Sequence, residues 1–170
     1  MILAVLIVAG SYAFYRTANI GQGRTQQAGK LASSLARAKE ALIARAVTDA
    51  NRPGSLPCPD LITNDVGLSN FPGDGKTDMF TLTQCPSYIG WLPWVTIDLP
   101  ELTDDSGTRL WYAVSPSLRD DDSAYPINSD TLAALRIDGG GEIAAIIIAP
   151  GRAIAGQTRP SNNPADYLEG

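Results

Sequence analysis

Apolar positions along this chain follow three successive patterns. Met1–Tyr15 (MILAVLIVAGSYAFY) carries no charge and is apolar on every face of a helix. Arg16–Lys30 is polar and holds Gly21, Gly23 and Gly29. From Lys30 a helical period returns, with Leu31, Leu35, Ala38, Leu42 and Ala46 spaced by four, three, four and four residues. That spacing predicts an amphipathic helix with one narrow apolar stripe, and Arg37, Lys39, Glu40 and Arg45 lie mostly off it. Asn51, Pro53 and Gly54 are its stop signals. Each glycine costs a helix about 1 kcal/mol relative to alanine, so Gly21 and Gly23 together mark a weak point where the helix could unwind.

The remainder, 53–170, reads as a small β-rich head. Pro53, Pro57, Pro59, Pro72 and Pro86 break up 53–90, which predicts an irregular excursion rather than regular elements. Arg109–Val114 (RLWYAV) has the aromatic and β-branched content of a strand. Ile143–Ala149 (IAAIIIA) is apolar at successive positions, which predicts a central strand covered by the helix, with Pro150-Gly151 ending it. Arg119–Ser123 (RDDDS) and Asn128–Thr131 read as a solvated acidic loop. The expected fold class is α+β, with residues 1–52 a hydrophobic-then-amphipathic helix and 53–170 the head. The apolar half of the helix stays free, and its amphipathic half packs on a small antiparallel sheet.

Charge divides along the same boundary. Residues 1–52 carry +5 and residues 53–170 carry −10, within a total of −5. An acidic head disfavours nucleic acid as a partner, because phosphate contacts need Lys and Arg on the binding face. The basic stem suits anionic lipid or the acidic head of another copy, and the latter predicts salt-sensitive association.

The candidate chemistry is sparse. With no histidine, the commonest general base and metal ligand is missing. No Gly-x-Ser-x-Gly, His-Glu-x-x-His or phosphate-binding loop occurs, and the adjacent acids Asp104 and Asp105 carry no feature that selects them for acid–base work. We therefore expect no catalytic residues, no cofactor and no enzymatic activity. Gly73-Asp74-Gly75-Lys76-Thr77-Asp78 offers Asp74 and Asp78 as weak calcium candidates, but the full EF-hand spacing is missing and a plain turn is the simpler reading. Cys58 and Cys85, each followed by proline in loop-like sequence, read as one disulfide worth roughly 3–4 kcal/mol if the head is delivered outside the cytoplasm. The alternative is two buried thiols. Trp91 and Trp94 read as cover for the core, with an aromatic binding platform as the lesser reading.

Three readings compete for Met1–Tyr15. Fifteen helical residues reach about 22 Å, short of a hydrocarbon core of roughly 30 Å. A cleaved signal peptide would find a small-x-small site at Ser11-Tyr12-Ala13 but lacks basic residues ahead of the apolar run. A buried core helix is at odds with its all-round apolar surface. A membrane segment whose upstream leader has been removed accommodates both features and is the expectation taken forward.

Taken together, the apolar helix, the glycine-weakened zone and the Pro/Cys loop resemble a type IV pilin-like protein of the prepilin/pseudopilin superfamily. Ala38-Lys39-Glu40-Ala41-Leu42-Ile43 followed by Pro53-Gly54-Ser55-Leu56-Pro57-Cys58-Pro59-Asp60 carries part of the likeness. Gly90-Trp91-Leu92-Pro93-Trp94, Arg109-Leu110-Trp111-Tyr112-Ala113-Val114, Ile127–Thr131, Ala149-Pro150-Gly151 and Tyr167-Leu168-Glu169-Gly170 are similar to uncharacterised prepilin-like proteins of Gram-negative bacteria. The resemblance implies a subunit held in the inner membrane, processed by a prepilin peptidase and drawn by assembly machinery into an extracellular helical filament of its own copies. Met1, Ile2, Leu3, Val5, Leu6, Ile7, Val8 and Phe14 would line the filament core. The chain departs from the family in carrying Met1 and Val5, where family members usually have Phe first and Glu fifth. The other functions considered are a minor pseudopilin of a type II secretion system and a membrane-anchored periplasmic binding domain. In the binding-domain case, Trp91, Trp94 and the 119–131 loop would be the ligand surface.

Overall fold

The computed structural model describes residues 2–61, 73–79, 84–121 and 125–168, with side chains described from Thr25 onward. The chain is α+β: one N-terminal helix, α1 (Ile2–Thr48), precedes three short strands, β1 (Ile89–Trp91), β2 (Trp111–Val114) and β3 (Ala145–Ile148). Single 3-10 turns occupy Pro116–Leu118 and Pro164–Asp166, each starting on a proline whose fixed φ suits the first helical position. α1 runs through Gly21 and Gly23 without a break. The side chains assigned to a filament core, Met1, Ile2, Leu3, Val5, Leu6, Ile7, Val8 and Phe14, lie outside the described ones.

The apolar stripe of α1 meets the head as its spacing predicts. Ala38 and Leu42 are buried in the main hydrophobic cluster, and Leu31, Leu35 and Ala46 pack against it half-buried. Burying a leucine side chain is worth about 1.5–3 kcal/mol, so this face contributes strongly to holding the helix on the head. α1 stops after Thr48. Beyond it the Asp49 carboxylate accepts the backbone N–H groups of Asn51 and Arg52 at 2.9 and 2.8 Å and pairs with Arg45 at 2.7 Å. These bonds turn the chain away from the helix axis ahead of Pro53.

The sheet is antiparallel in the order β1-β2-β3, with Trp91 opposite Trp111 and Trp111 opposite Ile148. Two strand expectations are corrected here. The Arg109–Val114 segment enters the sheet only at Trp111, because Arg109 is engaged in a bridge with Thr103. The isoleucine-rich segment is not central: β3 is an edge strand, half-buried throughout, and β2 is the central strand. β2 earns that place by being covered on both faces. Tyr112 and Val114 join the cluster that includes Ala38 and Leu42, while the Trp111 ring lies 4.2 Å from that of Tyr167. All four β2 residues are buried.

Candidate functional site

Two features stand out on the head surface: an apolar groove beside α1 and a hairpin next to it. The groove is about 570 Å³ and runs between α1 and the start of β3. Leu35, Lys39, Ile43, Ala46 and Val47 line it from the helix, with Leu56, Ala145 and Ile147 from the head. Ile43 and Val47 are 54% and 73% exposed. They fall one helical step off the core stripe, at positions 39, 43 and 47 along one face, so the sheet does not reach them. Among the residues lining the groove, Lys39 alone is charged.

The hairpin is closed by antiparallel pairing of Leu135 with Ile143. Its tip is Ile137-Asp138-Gly139-Gly140, where Gly140 N–H donates to the Ile137 carbonyl at 2.7 Å. Asp138 and Gly139 have φ of 49° and 70°, the left-handed pair that a tight two-residue hairpin turn requires and that Asp-Gly supplies readily. The Glu142 carboxylate accepts the Ala133 N–H at 3.2 Å, which ties the preceding loop to the hairpin. Leu132 and Ile137 are 67% and 50% exposed.

Between α1 and the head lies a polar clamp. The Arg52 guanidinium donates to Asp121 at 2.9 Å and to the carbonyls of Arg119 and Tyr125 at 2.8 and 3.0 Å. Arg119 also reaches Asp121, at 3.0 Å, and Arg45 reaches Asp120, at 3.2 Å. Over Arg119–Asp121 this corrects the reading of Arg119–Ser123 as a solvated loop, Asp122 and Ser123 lying outside the described residues: Asp121 is buried where two guanidinium groups meet it. A buried carboxylate of that kind tolerates burial only when paired.

Cys58 and Cys85 are joined in a disulfide with an S–S distance of 1.98 Å. It anchors the segment that leads to Asp60, whose backbone pairs with Trp91 in both directions, at 2.9 and 3.0 Å. The Asp60 side chain is fully buried and accepts the N–H groups of Gly73 and Gly75 at 3.0 and 2.9 Å. Burial pushes its carboxyl up to about 7; the Gly75 N–H opposes this and the Asp78 carboxylate adds to it. Asp78 is itself pushed up by burial, against the Leu61 N–H that its carboxylate accepts at 2.7 Å. Asp74 pairs with Lys76 at 3.5 Å and accepts the Lys76 N–H. Of the two calcium candidates, then, Asp78 is tied to the backbone of Leu61 and Asp74 caps its own turn. Among the described residues, no group of three or more His, Cys, Asp or Glu side chains is placed to hold a metal ion.

The glycine-rich turn has a packing reason instead. A Cβ on Gly75 would stand 2.3 Å from the Trp94 ring, and its φ is +81°. The Arg109 guanidinium sits 4.4 Å over the Trp91 ring. Both tryptophans therefore serve as cover where loop meets sheet. Asp104 is structural, while its neighbour Asp105 stands exposed. Burial pushes Asp104 up, but the Ser106 hydroxyl and the N–H groups of Thr108 and Gly151 outweigh it and hold the carboxyl below its usual range. Its oxygens are occupied at 2.6–3.0 Å by these donors, which pin the 104–108 turn to Gly151.

No family model, no curated protein and no solved structure matches the chain. Among the residues whose side chains are described, no helix is long and apolar enough to cross a membrane. The apolar run Met1–Tyr15 lies outside them. The residues that sequence reasoning passed over are Ile43 and Val47, Arg52, Asp60 and the 135–143 hairpin. Only the hairpin carried a local signal, the Asp138-Gly139 dipeptide between apolar residues.

Proposed function

We propose that this chain is a structural subunit of an extracellular type IV pilus-like filament, assembling through its N-terminal apolar helix. One observation supports this above the others. Among the residues whose side chains are described, the head packs on this 47-residue helix through its C-terminal part, from Leu31 to Ala46. Neighbouring copies would supply the apolar environment that Met1–Tyr15 requires, since an all-round apolar helix is unstable in water. Disulfide closure of the head fits export to an oxidising compartment. Before assembly the subunit would be held in the inner membrane, with a prepilin peptidase and assembly machinery as partners. Registry between subunits would come from side-chain packing, because Val5 stands where the family's usual glutamate would form a charge pair.

Electron microscopy of filaments sheared from expressing cells, combined with mass spectrometry of the N-terminal peptide, tests this. Filaments composed mainly of this chain are the expected result. A chain that remains in the membrane as monomers, with no filaments, would leave the anchored periplasmic domain in its place. Filaments in which this chain is a trace component would leave the minor pseudopilin.

A further inference from the structure

We propose that the groove beside α1 is filled by the 132–142 hairpin region of a second copy, with Ile137 and Leu132 entering between Ile43, Val47 and Ile147. This rests on the filament reading and names a head contact within it. Four observations carry the assignment.

The groove is apolar, and its two most exposed helix residues, Ile43 and Val47, are left uncovered by the described residues. The hairpin region offers two exposed aliphatic side chains, Ile137 on the turn fixed by Asp138 and Gly139 and Leu132 in the loop that Glu142 ties to the hairpin. A preorganised element loses little conformational entropy on docking. The charges also match. Lys39, the one charged groove residue, forms no ion pair within the described residues, and neither do Asp130, Asp138 and Glu142 around the hairpin apolar pair. Against these three acids the hairpin region carries one cation, Arg136. Finally, groove and hairpin are different parts of the surface, so a contact that uses the groove of one copy and the hairpin of the next is head-to-tail, the kind that can propagate along a filament. A lipid tail would satisfy the apolar lining but would leave Lys39 and the hairpin acids unmatched.

The test uses the full chain in expressing cells, with a benzophenone photocrosslinker at position 47 on one tagged copy and a differently tagged copy co-expressed. The expected product carries both tags, and mass spectrometry places the adduct within 132–142 of the second copy. Lys39→Glu should lower its yield about two- to five-fold, the scale of an exposed ion pair. Asp138→Lys in the partner copy should restore it. Adducts to lipid, to another protein, to the same chain or to another region of the second copy would overturn the assignment, as would a yield indifferent to Lys39→Glu. Electron microscopy of the same cells separates the two ideas. Filaments with adducts elsewhere remove this contact and leave the filament reading; a dual-tag adduct at 132–142 without filaments keeps the contact and removes the filament; neither result removes both.

Discussion

The two flanks of β2 are held by different physics. On the β1 flank, a three-residue strand reached through Pro- and Gly-rich loop is kept in place by a disulfide, by the buried Asp60 side chain and by a glycine turn fitted under Trp94. On the β3 flank, the most apolar segment of the head lies half-exposed at the sheet edge, held by packing against α1. Where the chain lacks apolar side chains, covalent and polar devices fix the backbone. Where it has them in excess, the surplus faces the groove. Hydrophobicity alone therefore does not rank burial: Trp111-Tyr112-Ala113-Val114 is inside because both of its faces are covered, while Ala145-Ile146-Ile147-Ile148 is not.

The difference between the flanks can be broken from either side. The largest effect expected is with pH and acts on the β1 flank. The Asp60 carboxyl, ordinarily near 3.8, is pushed up to about 7 by burial, so the folded head binds its proton more tightly than the unfolded chain does. Its stabilising contribution is complete below about pH 4 and is lost as pH rises through 7, up to about 4 kcal/mol in all. Asp49 and Asp104 act in the opposite sense. Burial pushes each up, but hydrogen bonds outweigh it, so both lie below 3.8 and their contributions are lost only as pH falls beneath that value. Denaturant unfolding should show maximal stability near pH 4, a decline from there to about pH 7, and little further change above it. Asp78, also pushed up by burial, acts in the same sense, so Asp60→Asn should reduce that decline substantially, and an undiminished decline would remove Asp60 as its main cause.

Next in size is the staple. Replacing both cysteines, Cys58→Ser with Cys85→Ser, should cost roughly 3 kcal/mol by chemical denaturation. The loss should show first as faster amide exchange at Asp60 and Trp91 on the β1 flank, while the amides of β3 are the last to respond. Equal acceleration on both flanks would mean that the head has a single cooperative core and that the contrast drawn here fails.

Gly75→Ala should cost about 2–3 kcal/mol, from forcing a Cβ against Trp94 at a positive φ. Gly139→Ala at the exposed hairpin tip should cost less, because nothing lies within 4 Å of its Cβ position. Thermal unfolding of the two variants provides the comparison.

The smallest effect is on the β3 flank. Ile147→Ala should cost only about 1–2 kcal/mol, below the range for a fully buried aliphatic residue, because its environment is half solvent. Ile43→Ala should leave the stability of the isolated subunit nearly unchanged while weakening self-association. A large stability loss for Ile43→Ala would show that the groove residues belong to the fold rather than to an interface.

Much of this architecture was legible in local pattern. The stripe Leu31, Leu35, Ala38, Leu42 and Ala46 named the buried helix face because helical period and burial are the same fact seen twice. Cys58 and Cys85 named the staple because loop-like flanks leave few other sources of rigidity. The β3 segment announced a strand, yet its place in the sheet was read wrongly. An apolar run reports that a surface is available to be covered, and only the partners decide which surface is covered. The RDDDS stretch misled for a related reason: nothing local in it reveals that Arg52, across nearly seventy residues of sequence, would arrive to pair with Asp121.

By itself, then, the sequence determined the helix, its buried face, the division of charge between stem and head and the cysteine pair, all of which depend on contacts within a few residues or on composition. Tertiary structure alone decided that β2 is central and β3 an edge, that Asp60 is buried with its carboxylate on two backbone N–H groups, and that Ile43 and Val47 open a groove instead of closing a core. The physical reason is common to all three. Burial belongs to a pair of surfaces, and no residue carries in its own neighbourhood the identity of the surface it will meet.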